Sequence, residues 1–178
     1  PLKGTAPHMT IEENLALAYL RADKNTNPLS RITRKEKELF KEKIRMLDMG
    51  LEGRMNTPVG TLSGGQRQAL TLLMATLVPP KILLLDEHTA ALDPQAAEKI
   101  MALTKQITDA NHTTCLMVTH NLKQAVSIGN RTLMMANGHI VVDLKGEQRK
   151  GLTIQDLMNL FKEQAGKELD NDRILLSE

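Results

Sequence analysis

Four aliphatic residues in a row, Ile82-Leu83-Leu84-Leu85, run directly into two acids, Asp86 and Glu87. An apolar run without alternation suits a strand buried on both faces of a parallel sheet, so Lys81–Asp86 is predicted as such a strand. Pro94 then opens a helix predicted to Asn111, with Ile100, Leu103 and Ile107 spaced along one face. Thr113–Val118 is a second β-rich run. Strands alternating with helices mean an α/β architecture with a parallel sheet. Downstream, Leu122–Ile128 is predicted as a short helix. Arg131–Ala136 and His139–Leu144 form a hairpin around Asn137-Gly138, and Thr153–Gln164 is a closing helix. The tail from Gly166 is polar and ends in Ile174-Leu175-Leu176.

The first 60 residues carry no strand pattern. Thr10 and Glu13 have the spacing of a capping box and start a helix predicted to Arg21. Thr33 and Glu36 repeat the pattern before a long charged helix predicted to Met49, with Gly50 as its C′ residue. Asn25–Pro28 is a loop between the two.

The whole chain has 178 residues, with 41% hydrophobic and 25% charged. That is the balance of a globular domain able to bury a core. Net charge is 23 − 21 = +2, and the aromatics are Tyr19, Phe40 and Phe161 alone. Nucleic acid is therefore not an expected partner, lacking both a basic excess and stacking platforms. The single Cys115 excludes an internal disulfide framework and fits a reducing cytosol. The densest apolar stretch, Ala69–Val78, is about half of what spans a bilayer.

Four short elements carry the chemistry. In Leu62-Ser63-Gly64-Gly65-Gln66 the glycines let backbone N–H groups approach a ligand, and the helix that follows from Arg67 puts the motif at a helix N-terminus, which attracts anions. Ser63 adds a hydroxyl. The plainer reading of these five residues is a glycine-rich cap on an ordinary helix. Asp86 closes a buried strand where α/β sheets bind ligands and can hold Mg²⁺; Glu87 can orient or deprotonate a water for attack on phosphorus. An acidic strand end with no role is the alternative. Asp93 before Pro94 is a good N-cap with proline at N1. His120 follows the second parallel strand, so it is expected at the same sheet edge as Asp86 and Glu87, donating to a phosphate oxygen. A lone histidine is more often structural.

In this order the four elements resemble the nucleotide-binding subunit of ABC transporters. Leu62–Gln66 matches that family's signature, Ile82–Glu87 its Walker B strand with the catalytic glutamate, Ala90-Ala91-Leu92-Asp93 its D-loop, and His120 its switch histidine. The resemblance covers about residues 1–160. It implies the C-terminal part of a P-loop NTPase: a helical subdomain over 1–78, part of a RecA-like parallel core over 79–165, and a tail over 166–178. It further implies ATP and Mg²⁺ as cofactors and a head-to-tail dimer with a second such subunit. Ser63, Gly65 and Gln66 would meet the partner's nucleotide, with Gly64 and Asp93 also nucleotide-binding; Asp86, Glu87 and His120 would act on the chain's own. Permease subunits in the membrane and a solute-binding protein complete the implied assembly, with this subunit peripheral on the cytoplasmic face.

Two departures accompany the resemblance. His88 and Ala90 stand where the family more often has Pro and Ser. No Gly-x-x-x-x-Gly-Lys-Ser/Thr loop occurs in the chain, so the phosphate-cradling backbone is missing. With Pro1 rather than Met at the start, the expectation is that the first half of the core lies upstream and that these residues alone are inactive. Two other ABC-type ATPases compete. DNA-maintenance ATPases of the SMC type place long coiled coils before the signature, and no sustained heptads occur here. Ribosome-associated soluble forms need two cassettes and basic linkers.

Overall fold

The computed structural model describes residues 4–22 and 32–175, with side chains to residue 165. The loop expected at Asn25–Pro28 lies outside the described residues. The chain forms two compact units, Pro1–Val118 and Thr119–Glu178.

The first unit runs α1 (Ile11–Ala22), α2 (Arg34–Arg45), α3 (Gly64–Thr76), β1 (Ile82–Asp86), α4 (Pro94–Ala110) and β2 (Thr114–Val118). Both predicted capping boxes form. The Glu13 carboxylate accepts the Thr10 N–H at 2.7 Å and its hydroxyl at 2.9 Å. These bonds, the backbone one first, hold the Glu13 carboxyl below its ordinary range. Thr33 and Glu36 close the second box. Each of α1 and α2 has 12 residues, too short for the coiled coil of an SMC-type protein.

Helices α1, α2 and α3 enclose a core in which Ile11, Leu15, Phe40, Ile44 and Leu70 are buried. Tyr19 meets Phe40 edge to face at 5.9 Å between centroids, a preferred aromatic geometry. Asn14, also buried, satisfies both ends of its amide. Its Oδ1 accepts the Ala6 N–H at 2.8 Å, and its Nδ2 donates to the carbonyls of Ala6 and Thr10. A buried amide needs those partners, and they pin the segment before α1 onto the helix.

The predicted extension of α2 to Met49 is corrected. The helix ends at Arg45 with Met46 as its C-cap, and Asp48 takes φ +48°. Lys99 of α4 donates to both the backbone carbonyl and, at 3.2 Å, the carboxylate of Asp48. The turn lets Leu47 and Leu51 both enter the core. Gly50 therefore lies in the turn, at φ +66°, and is not a helix C′.

Strands β1 and β2 pair in parallel, from Ile82↔Thr114 to Asp86↔Val118, as the strand–helix–strand pattern requires. Within the first unit, among its described residues, only one face is covered, where burial on both sides was expected. Leu83 is 5% exposed and joins Ile100, Leu103 and Ile107 of α4 in the core. On the other face Ile82, Leu84, Leu116 and Val118 are 50–66% exposed. Unbroken apolar composition records that both faces suit burial, not that 178 residues supply both covers.

The second unit contains α5 (Leu122–Ser127), the hairpin β3 (Arg131–Ala136) and β4 (His139–Lys145), and α6 (Ile154–Leu175). Asn137 and Gly138 have φ of 49° and 83°, the double positive φ of a type I′ turn. Arg131 bridges Asp143 across the strands at 2.6 Å and 2.8 Å. Helix α6 runs on through the stretch read as a polar tail.

Candidate functional site

Ser63 is the N-cap of α3, at φ −62° and ψ 163°. Its hydroxyl accepts the Gln66 N–H at 3.2 Å, and the Gln66 Oε1 accepts the Ser63 N–H at 3.1 Å. This is a third capping box in the chain, with Gln at N3 in place of Glu. The serine-to-glutamine spacing is the sequence signal for this box, and the two glycines between them obscure it. Gln66 also donates from Nε2 to the Met49 carbonyl at 3.1 Å. Its amide is thus a structural tie between α3 and the turn after α2.

The two glycines sit against the start of α4. A Cβ on Gly64 would lie 3.6 Å from Leu92 Cδ2, and one on Gly65 would lie 3.1 Å from the Ala96 Cβ. The first turns of α3 and α4 therefore pack together, with Gly65 at the tighter point. Asp93 caps α4 as predicted: its Oδ1 accepts the Ala96 N–H at 3.0 Å, and Pro94 follows at the helix start. One local arrangement thus unites Ser63, Gly64, Gly65, Gln66 and Asp93 around two helix N-termini. Both ends carry the positive pole of their helix dipoles.

Asp86 ends β1 with its residue exposed. Glu87 follows with φ +44°, a left-handed conformation that a side chain disfavours. Its N–H donates to the Val118 carbonyl at 3.0 Å, and its own carbonyl accepts the Ala90 N–H at 3.0 Å. The left-handed turn throws the chain off the sheet edge and leads through Thr89 and Leu92 to the Asp93 cap. His88 bonds from Nε2 to Thr104 Oγ1 of α4 at 3.1 Å. Burial lowers the His88 pKa below its ordinary value, because a charged imidazole loses hydration there.

His120 lies two residues past β2 and is exposed, in the second unit. The bend around it is ordered by its neighbours. Asn121 caps α5 by accepting the Gln124 N–H at 3.3 Å, and the Thr119 hydroxyl donates to Gln124 Oε1 at 2.7 Å.

Among the described residues no group of three or more His, Cys, Asp or Glu side chains is arranged to hold a metal ion. Mg²⁺ is usually held by one or two carboxylates plus substrate phosphates and waters. Asp86 offers one exposed carboxylate at the strand end.

The family described as "ABC transporter" matches residues 3–90. The tyrosine transport ATP-binding protein of Clostridioides difficile (strain R20291) is 41% identical over 162 residues, covering 91% of this chain and 64% of that protein. The methionine import ATP-binding protein of Listeria monocytogenes serotype 4b (strain F2365) is 40% identical over 110 residues, covering 61% and 32%. Among solved structures, a dimeric ATP-binding cassette in a post-hydrolysis state with ADP and Pi superposes with a TM-score of 0.64 at 28% identity, over 79% of this chain and 58% of that one. The chain spans less than two thirds of the length of these relatives.

Proposed function

We propose that this chain, which matches the ABC transporter family over residues 3–90 and is 41% identical to a transport ATP-binding protein, is part of a subunit that hydrolyses ATP to drive solute import across a membrane. The observation that carries this reading is Glu87, an exposed carboxylate at the C-terminal end of a parallel strand, held left-handed by the Val118 carbonyl. That is where an α/β sheet meets its ligand. Glu87 takes the proton of the attacking water. His120 donates a hydrogen bond to the γ-phosphate. Asp86 would hold Mg²⁺, which when bound would supply charge neutralisation on the phosphates.

Ser63, Gly64, Gly65 and Gln66, with Asp93 beside them, face the nucleotide of a second subunit across a head-to-tail dimer. The relatives' printed names, tyrosine transport and methionine import, support an amino-acid cargo. Residues 1–78 then serve as the helical subdomain that meets the permease, and 79–165 as part of the nucleotide-binding core. A solute-binding protein outside delivers the cargo. As for such relatives, the subunit is placed on the cytoplasmic face of the membrane through the permease. Among the described residues no helix is long and apolar enough to cross a membrane.

Glu87→Gln tests the assignment in the intact subunit that carries this chain. The amide keeps the shape and cannot accept the proton, so turnover falls by about 10²–10⁴-fold while ATP binding persists and an ATP-bound dimer accumulates. Steady-state ATPase near the wild-type rate in that variant refutes Glu87 as the base.

A further inference from the structure

We infer that His88 is a positioning residue for Glu87: its hydrogen bond to Thr104 ties the Glu87 turn to the middle of α4. The inference rests on Glu87 being the general base.

The direction of the bond follows from counting protons. Thr104 has one hydroxyl proton, which goes to the Ile100 carbonyl at 2.8 Å. The contact with His88 Nε2 at 3.1 Å therefore uses a Thr104 lone pair, and Nε2 must carry the proton. Thr104 is 2% exposed and one helical turn from Ile100, itself in the core. The acceptor is thus fixed in a rigid helix, and it fixes the ring.

What the ring fixes in turn is the peptide before it. Glu87 at φ +44° occupies a sparsely populated conformation, which persists only where the surroundings over-determine it. The Val118 carbonyl holds its N–H, and the Ala90 N–H holds its carbonyl. The peptide joining Glu87 to His88 is planar, so anchoring the His88 side chain limits how that plane can turn. The direction of the Glu87 Cα–Cβ bond is set by both dihedrals flanking it. Loss of the His88 anchor leaves the carboxylate free to drift relative to the sheet edge, which a proton-abstracting group cannot tolerate: misplacement by about 1 Å can cost 10²-fold.

The test measures ATP turnover and thermal melting in the intact subunit. His88→Leu removes the donor, and Thr104→Val removes the acceptor at nearly constant shape. Each is expected to lower kcat by about tenfold and leave the KM for ATP within about twofold. The double variant should be no worse than the poorer single, because both remove one interaction. His88→Gln and Thr104→Ser keep donor and acceptor and should recover most of kcat. A folded Thr104→Val with unchanged kcat overturns the inference, as do losses that multiply in the double variant. A lower melting temperature with kcat unmoved gives the bond a merely structural role and also overturns it. Glu87→Gln runs alongside: if it keeps turnover, the reading of Glu87 fails and this inference with it. If it is inactive while the His88 and Thr104 variants are normal, only the inference fails.

Discussion

At the scale of single residues, Gly64 and Gly65 look interchangeable in the sequence and are not so in the fold. A methyl group on Gly65 would press on the Ala96 Cβ at 3.1 Å, whereas one on Gly64 meets Leu92 Cδ2 at an ordinary 3.6 Å. Gly65→Ala should therefore force the start of α4 away and cost about 1–3 kcal/mol, as overpacking does. Gly64→Ala should be neutral or gain about 0.4–1 kcal/mol by restricting the unfolded chain. Thermal melts of the two variants side by side check this. Equal melting temperatures would mean that packing on Ala96 does not select the second glycine. The signature's resemblance to a ligand-binding loop thus coexists with a steric need inside the chain itself. Ser63 is similar. Its hydroxyl is legible as a ligand donor, yet it already accepts the Gln66 N–H.

At the scale of elements, β1 and β2 form a two-stranded parallel sheet covered on one face, and among the described residues each has the other as its strand neighbour. Ile82, Leu84, Leu116 and Val118 present an apolar surface beside two open edges. Such edges template further pairing, and within β1 and β2 charge is confined to Asp86 at the end of β1. The 178-residue chain should accordingly associate in solution, and Leu84→Lys, at the most exposed of the four positions, should shift it toward smaller species. Sedimentation across a dilution series decides the matter. A wild-type chain that stays monomeric at high concentration would show that this face and these edges do not drive association.

At the scale of the whole molecule, Asp86 and Glu87 can place a metal and a water, but the chain has no Gly-x-x-x-x-Gly-Lys-Ser/Thr loop to cradle phosphates. Phosphoryl transfer depends almost wholly on positioning and charge stabilisation. The 178 residues alone should show no micromolar ATP affinity by calorimetry and no turnover; micromolar affinity or measurable turnover would refute the division of labour proposed for this site. The sequence by itself determined the α/β class, the Asn137-Gly138 hairpin, the first two capping boxes and the Asp93 cap. Each of these depends on residues within a few positions of one another, where spacing alone dictates the hydrogen bonds. The acids after β1 were legible for the same reason, as chemistry at the end of an apolar run. Only tertiary structure decided that α2 stops at Arg45, because the turn at Asp48 is held by Lys99, 51 positions along the chain. It alone decided that Gly65 packs against Ala96 and that His88 reaches Thr104. Local spacing carries no record of which distant side chain a helix will present, and that is settled when the helices pack.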